Sequence, residues 1–253
     1  MIHKFEIKTE TLSQIFGIVN ALVDEVRVRI DKKSWKILCV DPARVAILDM
    51  KIKKDTFEKY SYKEKEELEI GVDVDKIKAI LKLCDKHDIT VFKGGVVEGG
   101  FGVEREHRYD IIAKLGKLKY HITGFDPRGL SDPKLPEWKL PIEREVNSAE
   151  LIFGVENAQQ VAEYIRITTD EWGMRIRADG DEDHIEMPLN SEGSEEPHES
   201  LFSLDYLFEA VKVIPTESLK VGMSTDHPVA ISYNLLGGGI TVKYALAPRI
   251  EAE

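Results

Sequence analysis

Lys78, Lys82 and Lys86 recur at every fourth residue, which places three ammonium groups on one stripe of a helix, away from Ile77, Leu81 and Cys84. Such a stripe can neutralise phosphates, and it is also what an ordinary solvated helix face looks like. Asp179, Asp181 and Asp183 have the spacing that opens a calcium loop. His184 stands where that loop needs Gly, and Asn190 where it needs a closing Glu, so calcium is not expected there. The histidines show no H-x-x-x-H pair, and no G-x-G-x-x-G, P-loop or G-x-S-x-G stretch occurs. Gly94, Gly95, Gly99, Gly100 and Gly102 fall between strand-like runs and read as a hairpin loop. Cys39 and Cys84 lack C-x-x-C spacing and cannot build a disulfide framework, which fits a reducing compartment. No cofactor, no metal and no catalytic residue is expected.

The charge balance narrows the partners. Among 253 residues there are 35 basic and 46 acidic side chains, a net charge of −11. A body that grips nucleic acid by a globally basic surface is excluded, so any contact with phosphate must be local and weak. The charged, alternating N-terminus MIHKFEIKTE is not a signal peptide, and no apolar run approaches the ~18 residues of a membrane span.

The elements that must position these lysines occur twice. Thr11–Val40 can be laid over Ser148–Arg177 without gaps at an offset of 137 residues, giving eight identities in thirty positions. Ile15-Phe16-Gly17 then falls on Ile152-Phe153-Gly154, Asn20-Ala21 on Asn157-Ala158, Arg29-Ile30 on Arg166-Ile167, and Trp35 on Trp172. A second match places Asp73 on Ser203 and Lys82 on Lys212. Each copy reads helix, strands, helix, strands. Leu12, Ile15, Phe16, Val19, Leu22 and Val23 predict an amphipathic helix over 11–23, and Leu151, Ile152, Val155, Ala158, Ala162 and Ile165 predict its twin, with Ser148 as N-cap. Asp73 and Ser203 are expected to cap two short second helices. Alternation predicts strands at 27–30, 36–40 and 45–52, and hairpins at 108–125 and 229–246. The fold class expected is α+β with antiparallel sheets.

Between the copies lies GFDPRGLSDPKLPEWKLP, with prolines at 127, 133, 136 and 141 that remove backbone donors and favour an extended surface linker. It keeps Phe125, Leu130, Leu135, Trp138 and Leu140, either to pin it to the sheet or to form the edge of a docking groove.

Several stretches resemble the archaeal DNA polymerase sliding clamp, the proliferating cell nuclear antigen family. Tyr244-Ala245-Leu246-Ala247-Pro248-Arg249-Ile250-Glu251 is similar to its Y-x-L-A-P-[RK]-I-E ending. Val40-Asp41-Pro42-Ala43-Arg44-Val45-Ala46 resembles its V-D-P-A-N-V-A turn, with Arg44 in place of the usual Asn. Ile70–Asp73, Leu135-Pro136-Glu137 and Leu201–Leu207 also match.

The resemblance implies a trimeric ring whose subunits each carry two clamp domains, here 1–123 and 142–253 joined by a connector at 124–141. Helices would line a central hole and sheets form the outer wall. Duplex DNA would thread the hole without being read, while polymerase, clamp loader, flap endonuclease and DNA ligase would dock through short peptide motifs. The lysines Lys78, Lys82, Lys86 and Lys212 would face DNA. Val40, Arg44, Val45, Ile47, Leu135, Pro136, Pro228, Ala247, Pro248 and Ile250 would form the docking pocket. The first helix of each copy departs from the family in having no basic residue on its polar face, and Gly94–His107 looks longer than the family's hairpin. Cytoplasmic, nucleoid-associated placement follows. The competing readings are a checkpoint-type clamp, one subunit of a heterotrimer, or a nucleic-acid-processing enzyme.

Overall fold

The computed structural model describes residues 3–63, 66–84, 89–97, 106–115, 118–136 and 140–250. In chain order the first half runs β1 (His3–Lys8), α1 (Thr9–Asn20), β2 (Glu25–Ile30), β3 (Ser34–Val40), β4 (Ala46–Lys53), β5 (Lys59–Ser61), β6 (Leu68–Asp73), α2 (Val74–Leu81), β7 (Ile89–Val97), β8 (Glu106–Leu115) and β9 (Leu118–Thr123). The second runs β10 (Ile142–Asn147), α3 (Ser148–Ala158), β11 (Tyr164–Asp170), β12 (Gly173–Asp179), β13 (His184–Asn190), β14 (His198–Ser203), α4 (Leu204–Val211), β15 (Ser218–Met223), β16 (Val229–Leu235) and β17 (Ile240–Leu246). The order is the same apart from the short β5. The pairs β1–β7, β2–β3 and β2–β6 are antiparallel, as are β10–β15, β11–β12 and β11–β14. This is the α+β duplication expected.

The chain divides into two compact units. One comprises Met1–Val40, Asp49–Pro133 and Leu236–Ile240; the other comprises Asp41–Leu48, Lys134–Leu235 and Thr241–Glu253. In the first, β5-β1-β7-β8-β9 form one sheet and β4-β3-β2-β6 run in order in another. In the second, β10-β15-β16-β17 and β13-β12-β11-β14 repeat that arrangement. Strands β9 and β13 each end a sheet. In each unit the two helices pack on one another, α1 on α2 and α3 on α4.

Alternation decides which faces are buried. Val26, Val28 and Ile30 of β2 are inside, as are Ile165, Ile167 and Thr169 of β11. Trp35 anchors the first core, with Phe5, Phe57 and Phe92 at ring-centroid distances of 5.3, 4.8 and 4.8 Å. Each such aromatic pair adds about 0.5–1.5 kcal/mol beyond its buried area.

The register of the repeat differs from the gapless match. β1 and β10 are equivalent, so the first residue of α1, Thr9, corresponds to Ser148 of α3. Glu25 pairs with Asp73 at the N-cap of α2, and Tyr164 pairs with Ser203 at the N-cap of α4. Copy two therefore lies two residues further along than the identities suggest. Phe16, fully buried, corresponds to buried Val155, whereas Phe153 is 60% exposed. Trp35 pairs with Ile30, and its counterpart Met174 pairs with Thr169; Trp172 sits on the β11–β12 turn, 73% exposed. A two-residue slip keeps strand faces but turns a helix by about 200°, so it shows first in α3.

The caps show a second difference. Asn147, not Ser148, is the N-cap of α3, and its side chain accepts from the Glu150 amide at 3.1 Å. Ser148 is buried and its hydroxyl donates to the Thr216 carbonyl. Asp73 caps α2 as expected, accepting from the Lys76 amide at 2.8 Å, while Ser203 occupies the N-cap of α4 without a side-chain bond.

Candidate functional site

The turn Asp41-Pro42-Ala43-Arg44-Val45 is built around one buried carboxylate. Asp41 Oδ1 accepts from the Val45 and Ala46 amides, both at 2.7 Å, and Oδ2 accepts from the Ala43 amide at 2.9 Å. Three orphan donors of a tight turn are thereby satisfied by one side chain. Tyr206 on α4 donates its hydroxyl to Asp41 Oδ2 at 3.1 Å, and Tyr244 of β17 donates to the Tyr206 carbonyl at 3.3 Å. Burial, then the Asp41 charge, push the Tyr206 hydroxyl up from its ordinary pKa, so it stays a donor. Sequence reasoning missed Asp41 and Tyr206 as organisers. An Asp ahead of Pro in a turn is the signal that points to Asp41, but nothing in the sequence points to Tyr206.

Arg44 is held at φ +60°, in the left-handed region that L side chains with a Cβ avoid, and its side chain is exposed. Asn tolerates that conformation better than Arg, which gives a physical meaning to the difference from the family turn. Its amide donates to the Asp41 carbonyl at 3.0 Å, so the strain is offset within the turn.

Val45 is half-buried, and its carbonyl accepts from the Ala247 amide at 2.8 Å, which joins the turn to the C-terminal stretch. Beyond it, Pro248 is half-buried and Ile250 is 81% exposed. Arg249 fixes this stretch: its amide donates to the Leu201 carbonyl at 2.7 Å, its Nη1 donates to the Tyr164 hydroxyl at 2.8 Å, and its guanidinium lies 4.3 Å from the Tyr164 ring centroid. Ile47 is buried in β4, Val40 ends β3, and Pro228 is half-buried just before β16. Leu135 is 41% exposed and Pro136 is exposed; Glu137 and Trp138 lie outside the described residues. The structure thus joins Val45 directly to Ala247 and leaves Leu135 and Ile250 as large exposed apolar side chains.

The lysines are not equivalent. Lys82 is the C-cap of α2 and Lys212 the C-cap of α4, so their match is structurally true, and a cation at a helix C-terminus is stabilised by the dipole. Lys82 is exposed. Lys212 is paired with Glu209 and lies 5.4 Å from the Phe208 ring centroid. Lys78 is half-buried, and its Nζ donates to Asn20 Oδ1 at 2.5 Å; Asn20 in turn donates to Asp75 at 2.8 Å. That chain ties α1 to α2 and holds the Lys78 ammonium against the neutral Asn20 amide. Lys86 lies outside the described residues. On α3 the exposed side chains include Glu150, Phe153, Glu156 and Asn157, with no base. The positive face is therefore a property of α2.

Among the described residues no group of His, Cys, Asp and Glu could hold a metal ion, and no helix is long and apolar enough to cross a membrane.

Comparison with known proteins agrees with these features. A family profile described as "Proliferating cell nuclear antigen, N-terminal domain" matches residues 3–98. The chain is 32% identical over 250 residues to the DNA polymerase sliding clamp of Archaeoglobus fulgidus, covering 96% of this chain and 97% of that one. It is 32% identical over 258 residues to the clamp of Methanothrix thermoacetophila, covering 99% of each. Among solved structures, "C-terminal region of FEN-1 bound to A. fulgidus PCNA" superposes with a TM-score of 0.84 at 31% identity, covering 99% of this chain and 100% of that one. The clamp of Thermococcus kodakaraensis, at 17% identity and TM-score 0.82 over 98% of this chain and 100% of that one, shares the fold.

Proposed function

We propose, from the premise that the chain belongs to the proliferating cell nuclear antigen family of DNA polymerase sliding clamps, how its parts divide the work between DNA and partner proteins. It is a DNA sliding clamp, a processivity factor and not an enzyme. The proposed parts are two clamp domains at 1–123 and 142–253 and a connector at 124–141. Subunits close into a trimeric ring through the sheet-ending strands β9 and β13, because unpaired edges invite pairing and a head-to-tail contact closing at 120° makes a trimer. Duplex DNA passes through the ring without sequence readout, in the cytoplasm at the nucleoid. Lys82 leads the contact, with Lys78, Lys86 and Lys212 in support.

Partners of the kind titled in the relative's complex, a flap endonuclease tail, dock on the pocket of Val40, Arg44, Val45, Ile47, Leu135, Pro136, Pro228, Ala247, Pro248 and Ile250. DNA polymerase, clamp loader and DNA ligase use the same surface. The observation that carries the reading is the Val45–Ala247 bond, which fixes an apolar C-terminal stretch beside a rigid turn. Several hundred Å² of apolar surface on a peptide with one aliphatic and two aromatic side chains is worth several kcal/mol at ~25 cal/mol/Å² before ordering costs. Micromolar binding of one peptide is therefore expected. Calorimetry with such a peptide tests it: Ile47→Asp puts an unpaired charge into a buried position and should abolish binding in a chain whose mass is unchanged. Full binding by Ile47→Asp and by Pro248→Glu would place docking elsewhere.

A further inference from the structure

The docking turn and the C-terminal stretch lie in one compact unit, which holds both Asp41–Leu48 and Thr241–Glu253. Among the arginines whose side chains are described, Arg44 of that turn stands apart. The others are engaged: Arg144 donates to the Glu192 and Gly193 carbonyls, Arg175 to Asp170, Arg177 to Asp179 and Arg249 to the Tyr164 hydroxyl, and the rest each pair with a carboxylate. The exposed Arg44 side chain has no hydrogen bond or ion pair among the described residues. Asp41, the nearest acid along the chain, is buried and already accepts from three amides and from the Tyr206 hydroxyl.

This guanidinium is carried on backbone that does not favour it. At φ +60° a Cβ crowds the following carbonyl, and Asn adopts the conformation more readily than Arg. Solubility does not explain the choice, because Ala43 is also exposed, has no positive φ, and could carry a charge without that strain. Strained residues of this kind cluster at functional sites. What Arg44 adjoins is the docking surface: the next residue, Val45, accepts from the Ala247 amide at 2.8 Å, and half-buried Pro248 and exposed Ile250 follow. Arg249, the other cation there, is held by the Tyr164 hydroxyl and ring. An unengaged guanidinium beside apolar side chains is a fork that fits a carboxylate.

We propose that Arg44 is a specificity-determining residue, which selects docking peptides that carry a carboxylate beside their hydrophobic plug. The inference rests on the docking reading above and names the chemistry of the partner. The net charge of −11 opposes an acidic peptide at long range. At about 0.15 M salt, however, exposed charges are screened beyond ~8 Å, so the direct contact decides.

The test titrates the full-length chain by calorimetry with two synthetic peptides. Both carry a Gln, one aliphatic and two aromatic side chains; one has Glu on either side of the plug and the other has Gln there. At low salt the wild-type chain should bind the Glu peptide about fivefold tighter, and the advantage should shrink as salt rises. Arg44→Asn should abolish the preference, leave the Kd of the Gln peptide unchanged, and raise the melting temperature by about 2 °C as the turn relaxes. Arg44→Lys should keep part of the preference, since a point charge replaces the fork. Lys220→Gln removes one exposed cation elsewhere in the same unit and should leave the preference intact. Equal affinity of the two peptides for the wild-type chain would overturn the proposal and leave the docking reading standing. So would a preference that survives in Arg44→Asn, or one lost as fully in Lys220→Gln, which would report net charge. A fall in both the melting temperature and the Gln-peptide affinity of Arg44→Asn would make Arg44 a support of the fold and overturn the proposal too. A wild-type chain that binds neither peptide would sink the docking reading itself.

Discussion

The turn from β3 to β4 and the turn from β12 to β13 occupy equivalent places in the two copies and are built by different means. Asp41 opens the first and gathers the amides of Ala43, Val45 and Ala46 on its carboxylate. Its counterpart Gly180 opens the second, donating its amide to the Asp183 carbonyl at 2.8 Å, and a Cβ there would meet the Val161 carbonyl at 2.4 Å. The first turn carries Arg44 and Val45 toward the C-terminal stretch; the second carries Asp181, Glu182 and Asp183, all exposed. The helices divide in the same sense, with bases on α2 and acids on α3. The two copies share the strand order, while the α2 lysines and the carboxylate-built turn belong to the first.

Core positions break the comparison most sharply. Phe16→Ala should destabilise the chain by about 3–5 kcal/mol, because Phe16 is fully buried. Phe153→Ala should stay within about 0.5 kcal/mol, as for any exposed site. Denaturant melts of the two variants check this, and equal losses would restore the gapless register. Next in size, Asp41→Ala strands three turn amides and the Tyr206 hydroxyl, which should cost roughly 2–4 kcal/mol. It should weaken peptide binding beyond what stability alone explains. A melt as stable as wild type would mean that the turn closes without its carboxylate. The smallest effect is on DNA. Lys82→Ala should flatten the slope of log K against log salt by about 0.9, one phosphate contact, whereas Lys212→Ala, already paired with Glu209, should flatten it less. Equal slopes for the two would give the second copy the same share in DNA contact as the first.

The order of strands and helices was legible because alternation and the 3.6-residue period are local. Register was not. Ile15-Phe16-Gly17 and Ile152-Phe153-Gly154 look alike, yet burial places Val155, not Phe153, where Phe16 lies. Identity of common apolar residues is weaker evidence than the face they must bury. In the site, the Asp41-Pro42 turn announced itself, while the partners that fix it did not. Tyr206 lies 165 positions from Asp41. Long-range polar pairs leave no period in a sequence.

The reading as a clamp is a claim about topology, and it is tested most directly by retention. The chain is loaded on a singly nicked plasmid with a clamp loader and ATP, isolated by gel filtration, and the plasmid is then cut once. A ring that encircles DNA and grips it through few phosphates should stay on the closed circle and slide off the linear form at moderate salt. Equal retention on circular and linear DNA, with release governed by salt alone, would mean that the protein holds DNA by surface contact and does not encircle it.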